Sequence, residues 1–502
     1  VISRTDNTSF LERYAHLVDD FAGFTEACHS PLPTTCWVPP DRKDGSHRLQ
    51  SEGHHQTEWN ERAWRLTHPG QQFGIAFLTG AALIQEEAAM AAVEALAPKL
   101  GERILDLCAA PGNKTVQLSK AVGNTGWIVA NDVSPNRLQV LRGLKDRFSL
   151  TNVTVTVTDG RRFPLTGEQP DLSDSADSGE SGGFDGFDAV LADVPCSCEG
   201  TCRKHPSVLR PQSEDERARL TNLQEELLRR AIRLARPGGR ILYATCTFAP
   251  EENEAVVDRV LRRPETGQDV DLTTCVLPGL RVSPGIDQWN GKTFSSDMHR
   301  AIRLWPEAND TGGFFLALMV KAGGASHVDG SAQGESALEK GKDPDGADNC
   351  FNTTPWSAFS ISDSAFQALE SLEDGRKYTR LAAAHRGHLP SVEWSVGMTG
   401  MNLKSGEPRF STPLALKFAS MATAGVAELE EKDIVPFLCR EVVRPSAIFP
   451  STDQSPGLLV RSGSTPLGLG HDPRDGSGII ASLFPKHWAG LEVAQWLKSL
   501  ER

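Results

Sequence analysis

RILDLCAAPGNKT, residues 103–115, is a short apolar run that ends in a turn of small residues and then opens onto a helix-forming stretch. A turn of that composition lets the backbone approach a ligand closely and leaves free N–H groups facing it. Working outward, the same pattern repeats. QEEAAMAAVEAL (85–96) precedes it as a strong helix former. WIVAND (127–132), VTVTVTD (153–159) and DAVLAD (188–193) follow as strands, each closing on an acid, and RILYATC (240–246) and FFLALMV (314–320) continue the series. The helix before RILYATC carries Leu220, Leu223, Leu227, Ala231 and Leu234 at steps of three and four and stops at Pro-Gly-Gly. Alternating strands and helices predict an α/β fold, a mostly parallel Rossmann-like sheet covered on both faces.

In open sheets of this kind ligands bind beyond the carboxyl ends of the strands, and that is where this chain places its acids. Turn 108–115 is the expected cradle for a cofactor. Asp132 lies 20 residues after Gly112, where a carboxylate can hold both ribose hydroxyls. Asp159 closes the third strand and is placed to meet an exocyclic adenine amine. Acids at strand ends also serve as helix caps, so the weight rests on four consecutive strands with ligand-type ends. The turn is not GxGxxG, which favours a mononucleoside cofactor such as S-adenosyl-L-methionine over NAD.

DVPCSCEGTCRKHP, residues 193–206, sets Cys196, Cys198 and Cys202 within seven residues and follows them with Arg203, Lys204 and His205. A metal site, a redox pair and a nucleophile set are the three readings. Asp193-Val-Pro-Cys196 ends the fourth strand and Thr245-Cys246-Thr247 the fifth, so two thiols face one pocket beside the methyl donor. Cytosine gives two thiols a use. Its C5 is too weak a nucleophile until a thiolate adds to C6. Covalent catalysis divides the difficult step, one cysteine attacking and a second assisting release. Asp193 can hydrogen-bond the N3/N4 edge of the base, and neighbouring cations lower a thiol's pKa. As a zinc set, Cys196, Cys198, Cys202 and His205 have unusual spacing, and a closed site would consume Cys196. A Cys196–Cys198 disulfide would need a strained short ring. The expectation is no metal, with Cys198 and Cys202 as small buried residues.

LDLCAAPGNKT, NDVSPNR, DVPCSCEGTCRKHP and ILYATCTFAPEENEAVV together resemble the motif set of the RNA (cytosine-5-)methyltransferases, the Nop/Sun family. QEEAAM (85–90) and LWPEANDTGGFFLALMVK resemble its flanking segments, so the likeness runs in order over about residues 1–323. The resemblance implies Cys246 as nucleophile and Cys196 as the release cysteine. It places Cys108, Ala109, Ala110, Pro111, Gly112, Asn113, Lys114, Asp132, Arg137 and Asp159 around S-adenosyl-L-methionine, with Lys114 and Asp193 also bordering the base. Two departures stand out: Asn113 where the family usually has glycine, and Cys198 where the release motif usually has glycine. A DNA cytosine methyltransferase would use the Pro-Cys cysteine itself and leave Thr-Cys-Thr without purpose. A non-catalytic RNA-binding scaffold would have no need of both thiols and the cofactor acids.

A chain of 502 residues exceeds one core. The expected division is an N-terminal RNA-binding extension (1–75), a methyltransferase domain (76–323), an acidic flexible linker (324–350) and a C-terminal domain (351–502). WSVGMTGMNLKSGEPRFSTPLALKF and GLLVRSGSTPLGLGHDPRDGSGIIASLFPKHW resemble the PUA-like RNA-binding tail of the bacterial small-subunit ribosomal RNA members, which favours ribosomal over transfer RNA as partner. The formal net charge is −13, but residues 171–188 and 324–350 hold −10 of it, leaving the remainder near neutral and able to form a basic groove. Arg203, Lys204 and Arg210 are candidate phosphate contacts. Ten scattered cysteines suit a reduced, cytoplasmic chain. No apolar run approaches the roughly 20 residues that span a bilayer. The N-terminus has no signal-peptide layout and no initiator Met. A monomer is expected.

Overall fold

The computed structural model describes residues 9–67, 74–164, 186–263, 270–323, 360, 369–374, 378–383, 393–402, 409–451, 457–485 and 488. The expected linker 324–350 and most of the acidic stretch 171–188 lie outside these residues. In the catalytic region the elements run α1 (Glu87–Leu96), β1 (Arg103–Asp106), α2 (Asn113–Val122), β2 (Trp127–Asp132), α3 (Pro135–Arg147), β3 (Val153–Val157), β4 (Phe187–Asp193), α4 (Glu214–Leu234), β5 (Ala235–Thr245), α5 (Glu254–Leu261) and β6 (Phe314–Lys321). The strands pair in the order β3-β2-β1-β4-β5 in parallel, and β6 adds antiparallel to β5. The order reverses between β1 and β4, which opens a crevice at their carboxyl ends.

Alternation along the strands explains the two cores. Ile104, Ile128, Leu191, Leu242 and Leu316 point to one face and pack under α1, α2 and α3 against Met90, Val116 and Leu138. Leu105, Val129, Val190, Ile241 and Phe315 point to the other, against Leu227 and Ala231 of α4 and Val256 and Val260 of α5. Each strand is thus apolar on both sides, as a doubly covered parallel sheet requires. α4 starts at a capping box: the Ser213 side chain accepts from Glu216 N, and the Glu216 side chain accepts from Ser213 N.

The N-terminal region is mixed. Its first elements are a single 3-10 turn, Glu12–Tyr14, and the helix Phe21–His29. Four short strands form an antiparallel sheet in the order His55–Gln56, Ala63–Arg65, Thr35–Trp37, Leu83–Ile84, so its last strand comes from beyond residue 75. The C-terminal region contributes a six-stranded mixed sheet, to which Gly457–Ser462 and Thr465–His471 belong, and a separate four-stranded sheet. One further strand, Glu393–Val396, leaves that region and pairs antiparallel with β3 at the edge of the catalytic sheet. Among the described residues no helix is long and apolar enough to cross a membrane.

Candidate active site

The two thiols singled out from the sequence meet at the switch-point crevice. Cys246 follows the last residue of β5, Cys196 lies three residues past β4, and their sulfurs are 3.4 Å apart. The loops that carry them are fixed by Glu252, Asn253 and Glu254. Glu252 Oε2 accepts from Ser197 N at 2.9 Å and from Gln224 Nε2 at 2.9 Å, which holds the Cys196 loop. Asn253 accepts from Thr245 Oγ1 at 2.6 Å and donates to Thr247 O at 3.0 Å, gripping both neighbours of Cys246. Glu254 pairs with buried Arg303, which donates from Nη1 to Phe248 O at 2.8 Å. Gly200 N donates to Cys246 O and Gly313 N to Gly200 O, each at 2.9 Å, tying the loop after Cys196 between β5 and β6.

Lys114, at the start of α2, reaches across to Asp193 at the end of β4, Nζ to Oδ2, 2.6 Å. Burial works against the ammonium, but the charge and hydrogen bond of Asp193 outweigh it, so the Lys114 pKa is raised and the cation is kept. The Lys114 Nζ also lies 5.2 Å from the centroid of the Phe314 ring. These groups share a cavity of about 650 Å³ walled by residues 108–111, Asn113, Lys114, Asp193 and Cys246, with residues 31–35 of the N-terminal region opposite. That size and its few convergent polar groups suit a nucleoside-sized ligand, so the residues present fit S-adenosyl-L-methionine.

The remaining expected cofactor residues stand around the turn. Gly112 has φ +116°, and a Cβ there would lie 2.6 Å from Leu141 Cδ1, so packing as well as backbone conformation requires glycine. Asp132 is 3% exposed; its carboxylate accepts from Ala110 N at 3.3 Å and Ser134 N at 2.9 Å, leaving acceptor capacity for ribose hydroxyls. Arg137 donates to Ala110 O at 2.7 Å and lies 3.5 Å from Asp132 Oδ2. Asp159 falls two residues beyond β3, caps a short 3-10 turn and is bound by Arg161, Nη2 to Oδ2 at 2.6 Å.

Sequence reasoning passed over Asp106 and misplaced two others. Asp106, 1% exposed, borders the cavity and accepts from Thr115 Oγ1 at 2.7 Å; burial pushes its carboxyl up to about 7. Arg203 is no free phosphate contact: its guanidinium donates to Ser30 O, Pro31 O and Thr311 O and pairs with Asp310 at 2.7 Å. Lys204 and His205 remain on the cavity wall, and Arg210 is exposed, 3.5 Å from Glu216. Cys202 is fully buried among Tyr14, Phe24 and Trp305 beside Cys28, which separates it from the other two thiols of its motif. Cys198 is not a buried filler. It sits half-buried at φ +60°, with Sγ 3.9 Å from Cys196 Sγ and 3.3 Å from Cys196 O. Hydrogen bonds from Cys196 and Cys246 push the Cys198 thiol down to about 3, while Cys196 is pushed up, by its bond to Cys198 above all. For Cys246 the bond to Cys196 lowers the pKa, but the bond to Cys198, burial and nearby negative charge raise it further. The protonation of the three thiols is thus coupled, Cys198 favoured as the thiolate and the other two as thiols.

The family model described as 16S rRNA methyltransferase RsmB/F matches residues 93–320. The tRNA (cytosine(49)-C(5))-methyltransferase of Pyrococcus abyssi is 34% identical over 247 residues, 49% of this chain and 72% of that protein. Ribosomal RNA small subunit methyltransferase F of Escherichia coli is 34% identical over 249 residues, 49% of this chain but only 46% of its own length. The solved structure of NSun6 from Pyrococcus horikoshii is 20% identical, covers 62% of this chain and 97% of its own, and superposes with a TM-score of 0.50, a likeness of fold. A third of the residues shared across 72% of the archaeal enzyme is the mark of common descent. The chain belongs to the Nop/Sun-like, S-adenosyl-L-methionine-dependent RNA cytosine-C5 methyltransferases, related to the bacterial RsmB/F enzymes.

Proposed function

We propose that the chain methylates C5 of a cytosine in ribosomal RNA through a covalent bond between Cys246 Sγ and C6 of the base, with Cys196 assisting its release. The observation that carries this reading is the pair of sulfurs 3.4 Å apart beyond the ends of two adjacent parallel strands, with Cys246 lining the cavity that holds Lys114 and Asp193. Addition of the Cys246 thiolate to C6 makes C5 electron-rich. Asp193, held by Lys114, offers an acceptor to the N4 amine and, with the lysine beside it, steadies charge that develops on the ring. S-adenosyl-L-methionine supplies an electrophilic methyl group when bound. Residues 108–111, Asp132, Arg137 and Asp159 are the groups proposed to hold it. A base then takes the C5 proton, the electrons of that C–H bond re-form the C5–C6 double bond as the S–C6 bond breaks, and the Cys246 thiolate leaves with Cys196 Sγ 3.4 Å away, close enough to give it a proton.

Trapping separates the two thiols. Cys246→Ala should abolish methylation and give no adduct. Cys196→Ala should add to the base and stall, accumulating an RNA–protein complex that survives denaturing electrophoresis. The double variant should trap nothing. A stable adduct formed by Cys246→Ala would exchange the two roles and point to the DNA-type mechanism. Ribosomal RNA is favoured over transfer RNA by the likeness of the C-terminal region to the PUA-like tail. Labelled methyl groups offered with both RNAs should enter ribosomal RNA, and label confined to transfer RNA would overturn that choice.

A further inference from the structure

We propose that Cys196, Cys198 and Cys246 together form a site for a thiophilic cation of the Zn²⁺ class, and that its occupancy silences the enzyme by engaging the nucleophile. The three sulfurs all lie within 4.8 Å of one another, two of the separations being 3.4 and 3.9 Å. A tetrahedral zinc with Zn–S bonds of about 2.3 Å needs sulfurs about 3.8 Å apart. The two separations of 3.4 and 3.9 Å lie within a few tenths of an ångström of that value, and the third, bounded at 4.8 Å, needs to close by at most about 1 Å.

Only the third thiol makes this possible, and it is held there at a cost. Cys198 occupies φ +60°, ψ +21°, a left-handed conformation that glycine adopts freely and a residue with a β-carbon adopts only at a cost. With glycine at 198, two sulfurs remain and no trithiolate exists. The cluster is distinct from the zinc set weighed from sequence, because Cys202 is buried beside Cys28 while Cys246 comes from another strand. Of the three, Cys246 lines the open cavity, from which water can reach a fourth position. Three protein ligands with an open fourth position describe an exchangeable site, not one that holds up the fold. Soft thiolates select the ion.

Binding forms three S–Zn bonds and releases the S–H protons still on the trio, so its affinity rises with pH. While the ion is bound, the Cys246 lone pair that would attack C6 is donated to the metal. Transfer chemistry and metal binding therefore exclude each other. The inference goes beyond the proposed reaction, and its first readout needs no RNA.

The full-length reduced chain should be titrated with Co²⁺, which reports thiolate ligation through its charge-transfer absorption. The expected result is saturation at one ion per chain, displacement by Zn²⁺, and at least a tenfold loss of affinity in both Cys198→Gly and Cys198→Ser. Glycine suits the backbone at 198 and serine keeps the shape, so two variants guard against a folding defect in one. In methylation assays Zn²⁺ should block the unmodified chain, a chelator should restore it, and Cys198→Gly should resist inhibition. Absence of the absorption, or an absorption unchanged in both variants, overturns the proposal. So does equal zinc inhibition with and without Cys198. If methyl transfer proves absent altogether while the absorption depends on Cys198, the site stands and the proposed reaction falls.

Discussion

Asp106 shows how one buried carboxyl links the cofactor crevice to stability. It is 1% exposed, and burial lifts its pKa from an ordinary 3.8 to about 7. The folded value lies above the unfolded one. Between about pH 4 and pH 7 the folded chain therefore holds a proton that the unfolded chain has shed, and stability falls as pH rises through that window. A shift of that size corresponds to on the order of 4 kcal/mol. Melting curves across pH 4–7 for the natural chain and Asp106→Asn should diverge, the variant showing the shallower decline. Parallel curves would mean that Asp106 ionises in the fold without penalty. Glu199 and Glu307 are also lifted to about 7, so the difference between the two chains is the quantity to measure. Asp106 was legible in principle. Ile104 and Leu105 point to opposite faces, so period two turns Asp106 to the side of α2, and an acid at an inward position is a signal of its own. Cys198 was not legible in the same way. Its place in the motif could be read, but nothing in the letters says that a left-handed backbone turns its sulfur toward Cys196.

At the scale of elements, the strand ends were the readable part. Five parallel strands follow from apolar runs and turn residues, with Asp132 and Asp193 closing β2 and β4 and Asp159 two residues beyond β3, and β1, β2 and β4 fall within a residue or two of their expected bounds. The loops between those strands were not readable, because their shape is set by contacts distant in sequence. Glu252, Asn253 and Glu254 look like an ordinary helix start, yet each fixes a different side of the catalytic loops. The two glycines that close the assembly work by the same rule. A Cβ on Gly200 would lie 2.2 Å from Gly313 O, and one on Gly313 would lie 2.0 Å from Phe248 Cε1. Gly313→Ala should therefore cost about 1–3 kcal/mol of overpacking and slow methyl transfer by displacing the Cys246 loop. Gly143, inside α3 with nothing near its would-be Cβ, is the control: Gly143→Ala should stabilise by about 0.5–1 kcal/mol. Denaturant midpoints of the two variants should move in opposite directions, and equal shifts would show that the space around Gly313 yields.

Over the whole molecule, the catalytic sheet does not end at β3. The strand Glu393–Val396 pairs with it, Val396 opposite Thr154 and Ser395 opposite Val155, and so covers an edge that would otherwise offer unpaired backbone groups. Composition and periodicity divide the chain into successive regions, but a strand shared between distant regions leaves no local mark. The join is reinforced from the last turn of α3. Asp146 accepts from Thr399 N at 2.7 Å and from Thr399 Oγ1 at 2.8 Å, and fully buried Lys145 donates to Ser395 O and Oγ at 3.2 and 3.0 Å. Hydrogen bonds to a charged group contribute about 1.5–3 kcal/mol. Asp146→Ala should therefore loosen this seam without reaching the crevice on the far side of β1. Hydrogen exchange at residues 393–399 and in β3 should accelerate by about tenfold or more, a factor of ten corresponding to about 1.4 kcal/mol, while affinity for S-adenosyl-L-methionine stays as it was. If exchange in both strands is unchanged, the ladder between β3 and Glu393–Val396 holds without the carboxylate. If cofactor affinity falls in step with the loosened seam, the C-terminal strand supports the crevice itself, and the catalytic region cannot be treated as a unit that ends at residue 323.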